Sequence, residues 1–248
     1  MAGAALPGRL SWRLADVLGI EPETANAKTL VLDVPEWPGH RAGQHVDIRL
    51  TAEDGYQAER SYSIASAPNG TALELTVERL DDGEVSPYLT DELRAGDQLE
   101  LRGPVGGYFV WEPRQAEPVL LVAGGSGVVP LMAMIRARAA AGSDADMRLL
   151  FSSRSWDAVI YRDELDRLAG ERLTVAHTLT RSQPAGWKGY ARRVDSAMLQ
   201  EVGPPAGHKP TAYICGPTPF VEAVAGALVA LGYEEQRIKT ERFGPTGG

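Results

Sequence analysis

The chain has 248 residues, enough for one large or two modest domains with a real core. Apolar residues make up 44% and charged residues 23%, ordinary globular usage, and a net charge of −8 argues against wholesale nucleic-acid binding. Cys215 is the only cysteine, which excludes an intrachain disulfide, a multi-cysteine zinc site and a four-thiolate iron–sulfur cluster.

His40, His45, His177 and His208 show no metal-ligand spacing, so no metal site is expected. The opening "MAGAALPGRLSWR" lacks the apolar stretch of a signal peptide, and no later run is long enough to span a bilayer. A cytoplasmic protein is therefore expected, without membrane or nucleic-acid partners. Residues 1–8 and the tail "GPTGG" are expected to be flexible.

The first half is written in strands. "KTLVLDV", "QHVDIRL", "RSYSIAS", "ALELTVERL" and "DQLELRGP" are short, alternating or β-branched, and separated by Gly, Pro and Asp turns. Such a series predicts an antiparallel barrel or sandwich. One short helix is predicted in "SPYLTDELRAG", with Pro87 in its first turn and Gly96 as its stop.

Beyond residues 112–117 the rhythm changes. Apolar strands "VLLVA", "RLLFSS", "LTVAHTL" and "TAYICG" alternate with helical "PLMAMIRARAAAG", "YRDELDRLAG", "DSAMLQEVG" and "PTPFVEAVAGALVALG", and "RIKTERF" is a last strand. Strands alternating with helices predict a doubly wound, parallel five-stranded sheet covered on both faces. The expected organisation is two domains, a β-barrel over residues 8–113 and an α/β domain over 114–248, with a ligand in the cleft between them.

Two stretches are suited to phosphate. In "VLLVAGGSGVVPLMAMIR", Gly124, Gly125 and Gly127 allow a sharp turn and close approach of the backbone, and Pro130 suits a helix start whose free amides attract an anion. The spacing is not the dinucleotide fingerprint, and a tight ligand-free connection would look the same. In "DGEVSPYL", Gly83 opens a turn and Ser86 is expected to cap the short helix. Arg60, inside a strand, needs a counter-charge, either a diphosphate held with the helix start at Ser86 or a nearby carboxylate such as Glu59.

Taken together, these segments resemble the ferredoxin–NADP reductase superfamily of flavoproteins, from about Trp12 to Phe243. "RSYS" is similar to its flavin motif, as are "AGQHVDI", "GEVSPYL" and "GPVGGYF"; "VAGGSGVVP" and "YICGPTPFV" are similar to its pyridine-nucleotide motifs. The resemblance implies that Arg60 binds the FAD diphosphate, Tyr62 stacks on the isoalloxazine and Ser63 hydrogen-bonds near flavin N5. Period-two alternation, which puts Arg60 and Tyr62 on one face, agrees. It further implies that Ser61, Val77, Gly83, Val85 and Ser86 contact FAD, and that Gly125, Gly127, Gly216 and Pro217 contact the nucleotide. Cys215 would lie beside nicotinamide C4, Glu241 would assist transfer at the flavin edge, and Phe243 would cover the flavin face. Val129 stands where relatives often carry a threonine.

Thr180 and Arg181 in "HTLTRSQPAGWKGYARRVD" resemble the family's pair for the 2′-phosphate of NADPH, with Arg193 and Arg154 as further cations. Nothing acidic sits beside Thr180 and Arg181 to bond a bare ribose hydroxyl, so NADPH is expected, with NADH as the alternative. The implied reaction is hydride transfer from nicotinamide to FAD and electron release to a separate acceptor, ferredoxin-like or an oxygenase component, by a monomer. Direct reduction of a small acceptor (free flavin, quinone or ferric chelate) is a second reading, and a non-catalytic flavoprotein subunit of an electron-transfer complex a third.

Overall fold

The structure, a computed structural model, describes residues 10–243, so the expectations for residues 1–8 and for "GPTGG" lie outside it. The described residues form a six-stranded antiparallel sheet, in the order β4-β3-β6-β1-β2-β5, and a five-stranded parallel sheet, in the order β11-β10-β7-β8-β9. The two-domain fold class read from the sequence is borne out.

In the first sheet, β2 (Ala27–Asp33), β3 (His45–Thr51), β4 (Gln57–Ser63), β5 (Leu73–Glu78) and β6 (Gln98–Val105) lie on the predicted runs. They are joined by a strand the sequence reading lacked, β1 (Trp12–Thr24), which pairs with both β2 and β6 and so occupies the middle of the sheet. Its register slips between Val17 and Gly19 and again between Pro22 and Thr24. Bulges of this kind erase the alternation by which a strand is recognised. The predicted short helix is a five-residue π-type turn, Tyr88–Glu92, closed by Leu93 N donating to Tyr88 O at 3.0 Å.

In the second sheet, β7 (Val119–Gly124), β8 (Met147–Ser153), β9 (Leu173–Leu179), β10 (Thr211–Pro217) and β11 (Ile238–Phe243) are parallel. Alternate residues of β7 face opposite cores. Leu121 and Ala123 pack with α1 (Val128–Ala140) and α2 (Arg162–Leu168), while Leu120 and Val122 pack with α3 (Ser196–Val202) and α4 (Thr218–Ala230). Strand order reverses between β7 and β10, and ligands of such sheets bind at the carboxyl ends of the strands there. No helix among the described residues is long and apolar enough to cross a membrane.

Candidate active site

Between the two sheets lies a cleft of about 830 Å³. It exists because the barrel is barely closed between β4 and β5, which are joined by the Ile64–Leu75 bridge and by Ala65 N donating to Glu74 O at 2.8 Å. Arg60 and Tyr62 stand opposite the buried Ile48 and Val46, on the core-facing side of β4, whereas Ser61 and Ser63 stand opposite Asp47 and His45. All four residues border the cleft. Burial pushes the Tyr62 phenol well above its ordinary pKa, so it presents a neutral aromatic ring.

Arg60 reaches across the gap. Its Nη2 donates to Glu84 Oε2 at 2.9 Å and its Nη1 to the Glu59 carbonyl at 2.7 Å. Glu84 also accepts from the Tyr56 hydroxyl at 3.0 Å. Glu84 and Tyr56 are absent from the sequence reading, although Glu84 sits inside the quoted "DGEVSPYL". The charge of Arg60 was the available signal, since a cation on a core-facing strand position needs an anion nearby.

One expectation is corrected in the loop that follows β5. Ser86 does not cap the helical turn: its hydroxyl is buried and accepts from Leu80 N at 3.0 Å, closing the 80–86 loop on itself. Gly83 is required by that closure, because a Cβ there would lie 2.9 Å from Ser86 Oγ. The Val77 side chain is fully buried in the barrel core, as is Val85, which borders the cleft; beside Val77, Thr76 and Glu78 face the opening by strand alternation.

On the opposite wall, Gly125 alone in the 124–127 turn has a left-handed backbone, at φ +57°. Gly127 is held by packing: a Cβ there would fall 2.1 Å from the Cys215 carbonyl oxygen. The helix begins two residues before Pro130, which lies within its first turn rather than at its first position. Gly216 and Pro217 end β10 beside this turn, Gly216 against Gly124 and the Phe220 ring.

The two walls meet at Ser63, Cys215 and Glu241. Cys215 and Glu241 are register partners on β10 and β11, and Ser63 Oγ donates to Glu241 Oε1 at 3.4 Å. Burial raises the Glu241 carboxyl to about 7, against the opposing bond from Ser63. Burial, reinforced by Glu241, keeps the Cys215 thiol protonated. Phe243 lies half-exposed at the rim. The cleft thus offers an aromatic face, a hydroxyl and a proton-holding carboxyl at one end and a cation at the other.

Arg154, Thr180, Arg181 and Arg193 do not line this cleft. They are exposed beyond the carboxyl ends of β8 and β9, on the same edge of the sheet as Cys215. Backbone bonds tie two of these loops together, from Thr180 N to Ser153 O and from Arg181 N to Arg154 O, both at 2.9 Å. Arg192 is occupied by Asp195, whereas Arg154, Arg181 and Arg193 form no ion pair among the described residues.

Comparison with known proteins agrees with this layout. The oxidoreductase FAD-binding domain family matches residues 17–110 and the oxidoreductase NAD-binding domain family residues 121–226. A ferredoxin–NADP reductase of Sorangium cellulosum is 37% identical over 82% of this chain and 84% of its own length. The glycine betaine monooxygenase reductase subunit of Pseudomonas aeruginosa is 34% identical over 83% of this chain, which spans only 57% of that relative. The flavohaem-like FAD/NAD-binding domain of nitric oxide dioxygenase from Vibrio cholerae superposes with a TM-score of 0.83 at 26% identity, covering 94% of this chain and 99% of that one.

Proposed function

Because the chain belongs to the ferredoxin–NADP reductase superfamily of FAD- and NAD-binding oxidoreductases, we propose that it oxidises NADPH and delivers the electrons to a separate carrier, a ferredoxin or an oxygenase component. The observation that carries this reading is the meeting of Ser63 from the barrel with Cys215 and Glu241 from the parallel sheet, at the end of a cleft whose other end holds Arg60. FAD fits these residues: a flat polar ring matches Tyr62 and Ser63, and a diphosphate matches Arg60 and the 80–86 loop. When bound, FAD supplies the exchange between a two-electron donor and a one-electron acceptor.

The protein's own part is positioning and proton management. Tyr62 presents a neutral ring, and Ser63 and Glu241 place a donor and a carboxyl able to hold or release a proton near neutrality. Cys215, neutral and buried, shapes the nicotinamide side without adding charge. Arg181, with Thr180, Arg154 and Arg193, binds the 2′-phosphate of NADPH, where a forked cation suits a dianion. NADH is the weaker donor in this reading. In this reading the reaction runs in the cytoplasm and in a monomer, and a net charge of −8 favours separate, dissolved chains.

Anaerobic titration with NADPH and with NADH, followed by the flavin absorbance, tests the reading: the yellow band is bleached, more readily by NADPH. A chain that binds no flavin, or flavin that neither donor reduces, overturns it. Arg181→Ala is expected to raise the KM for NADPH about tenfold or more and leave that for NADH nearly unchanged, a loss of one charge-assisted contact. Equal effects on both donors would remove the 2′-phosphate assignment.

A further inference from the structure

The phosphate end of the cleft already holds an anion of the protein's own. Glu84 Oε2 accepts from Arg60 Nη2 at 2.9 Å, while Glu84 Oε1 accepts from the Tyr56 hydroxyl at 3.0 Å. The second terminal nitrogen of Arg60 is turned to the Glu59 carbonyl. Both ends of the guanidinium fork are thus engaged by the protein. Glu84 belongs to the closed 80–86 loop, so its carboxylate is tethered beside Arg60 and acts there at high effective concentration. A diphosphate that reaches Arg60 meets this like charge on the same fork.

We infer that Glu84 is an intramolecular competitor for the phosphate end of the flavin, holding Arg60 until a phosphate group takes its place. The two carboxylate oxygens have separate partners. Leaving Arg60 breaks the Oε2 contact, and Tyr56 retains Oε1, so the displaced carboxylate keeps a hydrogen bond at the mouth of the cleft. The consequence is a flavin affinity set below what Arg60 would give with a neutral neighbour, and the effect depends on phosphate, not on the ring. This inference rests on the flavin reading above and extends it to what limits binding.

The test uses the full chain stripped of flavin and titrated with FAD, FMN and riboflavin, with flavin fluorescence as readout. Glu84 is half-exposed on a surface loop, and two substitutions are compared. Glu84→Gln is expected to lower the Kd for FAD about tenfold at low salt, the scale of one like-charge contact removed. Glu84→Lys lowers it further, FMN follows FAD, and riboflavin, which has no phosphate, is unchanged. The difference shrinks as salt screens the charges. If Glu84→Gln binds FAD as wild type does, or more weakly, Glu84 orients Arg60 rather than competing with the ligand, and the inference is wrong. Equal tightening of riboflavin overturns it as well. If none of the three flavins binds any of the proteins, it is the flavin reading that fails, and this inference falls with it.

Discussion

At Glu241 the cost of burial and the chemistry of the cleft meet in one carboxyl. Desolvation raises it from 4.5 to about 7, so it exchanges its proton in the neutral range. A carboxyl with a raised folded-state pKa contributes stability that is complete below about pH 4.5 and is lost as pH rises through about 7. The flavin-free chain is therefore expected to lose on the order of 1–2 kcal/mol from this group between pH 5 and 8, a discounted figure because the site borders cleft water. His40, His45 and His177 act in the opposite direction, since burial lowers each and their contribution is lost as pH falls. The informative quantity is the difference from Glu241→Gln, measured by urea unfolding at both pH values. The variant gains on wild type as pH rises, and an identical pH profile would show that Glu241 does not titrate in this window. In the loaded protein the same variant is expected to slow nicotinamide-dependent flavin reduction and to flatten its pH dependence near 7.

At the scale of elements, the contact between the 124–127 turn and β10 sets the position of Cys215. Gly127→Ala places a methyl group 2.1 Å from the Cys215 carbonyl oxygen and 2.8 Å from Gly216 N, both backbone atoms that a rotamer change cannot clear. Relief requires moving the start of α1 or the end of β10, at a cost of about 3 kcal/mol. Thermal unfolding should shift down by roughly 6–12 °C for a chain of this size, and nicotinamide binding should weaken with it. An unshifted melting curve would mean that the turn relaxes freely. The sequence shows this glycine as one able to approach a ligand; its neighbour in the fold is protein backbone, a distinction periodicity does not encode. The same limit applies elsewhere. Four of the five parallel strands were legible because each is a short apolar run between helical periods, and "LTVAHTL" coincides with β9, whereas β11, "IKTERF", carries only Ile238 and Phe243 as apolar residues. β1 was not, because its two bulges and the exposed Leu14 and Leu18 break the alternation. "RSYS" exposed the cation and the ring, whereas the partners of Arg60 and Ser63, Glu84 and Glu241, depend on loops and sheets meeting across 24 and 178 residues.

For the whole molecule, the decisive question is how rigidly two domains hold the walls of one cleft, since relative motion is the default unless the interface is large and apolar. Here one apolar cluster runs across the boundary: Ala42, Ala65, Phe109 and Trp111 from the barrel side pack with α1 and with Tyr213. Tyr213 adds an edge-on contact to Phe109 at 5.4 Å and donates from its hydroxyl to Val110 O at 2.8 Å. Two polar latches flank this cluster. In the first, the hydroxyl of buried Tyr161 bonds to Thr76, which bonds to Thr29 at 2.7 Å; Thr29 donates to Glu23 at 2.7 Å, and Glu23 accepts from Tyr161 N at 3.1 Å. Tyr161 adopts a left-handed φ of +58° there, a conformation uncommon for an aromatic residue and held by these bonds. In the second, Arg136 of α1 donates to Glu164 through Nε at 2.9 Å and Nη2 at 2.7 Å, and from Nη1 to Glu74 of β5 at 2.7 Å and to the Ala65 carbonyl at 2.9 Å. Burial works against its charge, but the bonds to Glu164 prevail and hold its pKa above the ordinary value. Because Glu74 and Ala65 flank the weak β4–β5 seam, Arg136 braces the edge of the barrel that opens into the cleft. Arg136→Ala leaves two part-buried carboxylates without their cation and is expected to cost about 3 kcal/mol. The transition in urea should also change form, with a lower m-value or two steps as the barrel and the α/β domain unfold separately. Arg136→Lys keeps the charge but cannot span Glu164 and Glu74 at once, so it should recover less than half of the loss. A single transition of unchanged steepness in Arg136→Ala would mean that the apolar cluster alone couples the domains and that the walls of the cleft do not depend on this arginine.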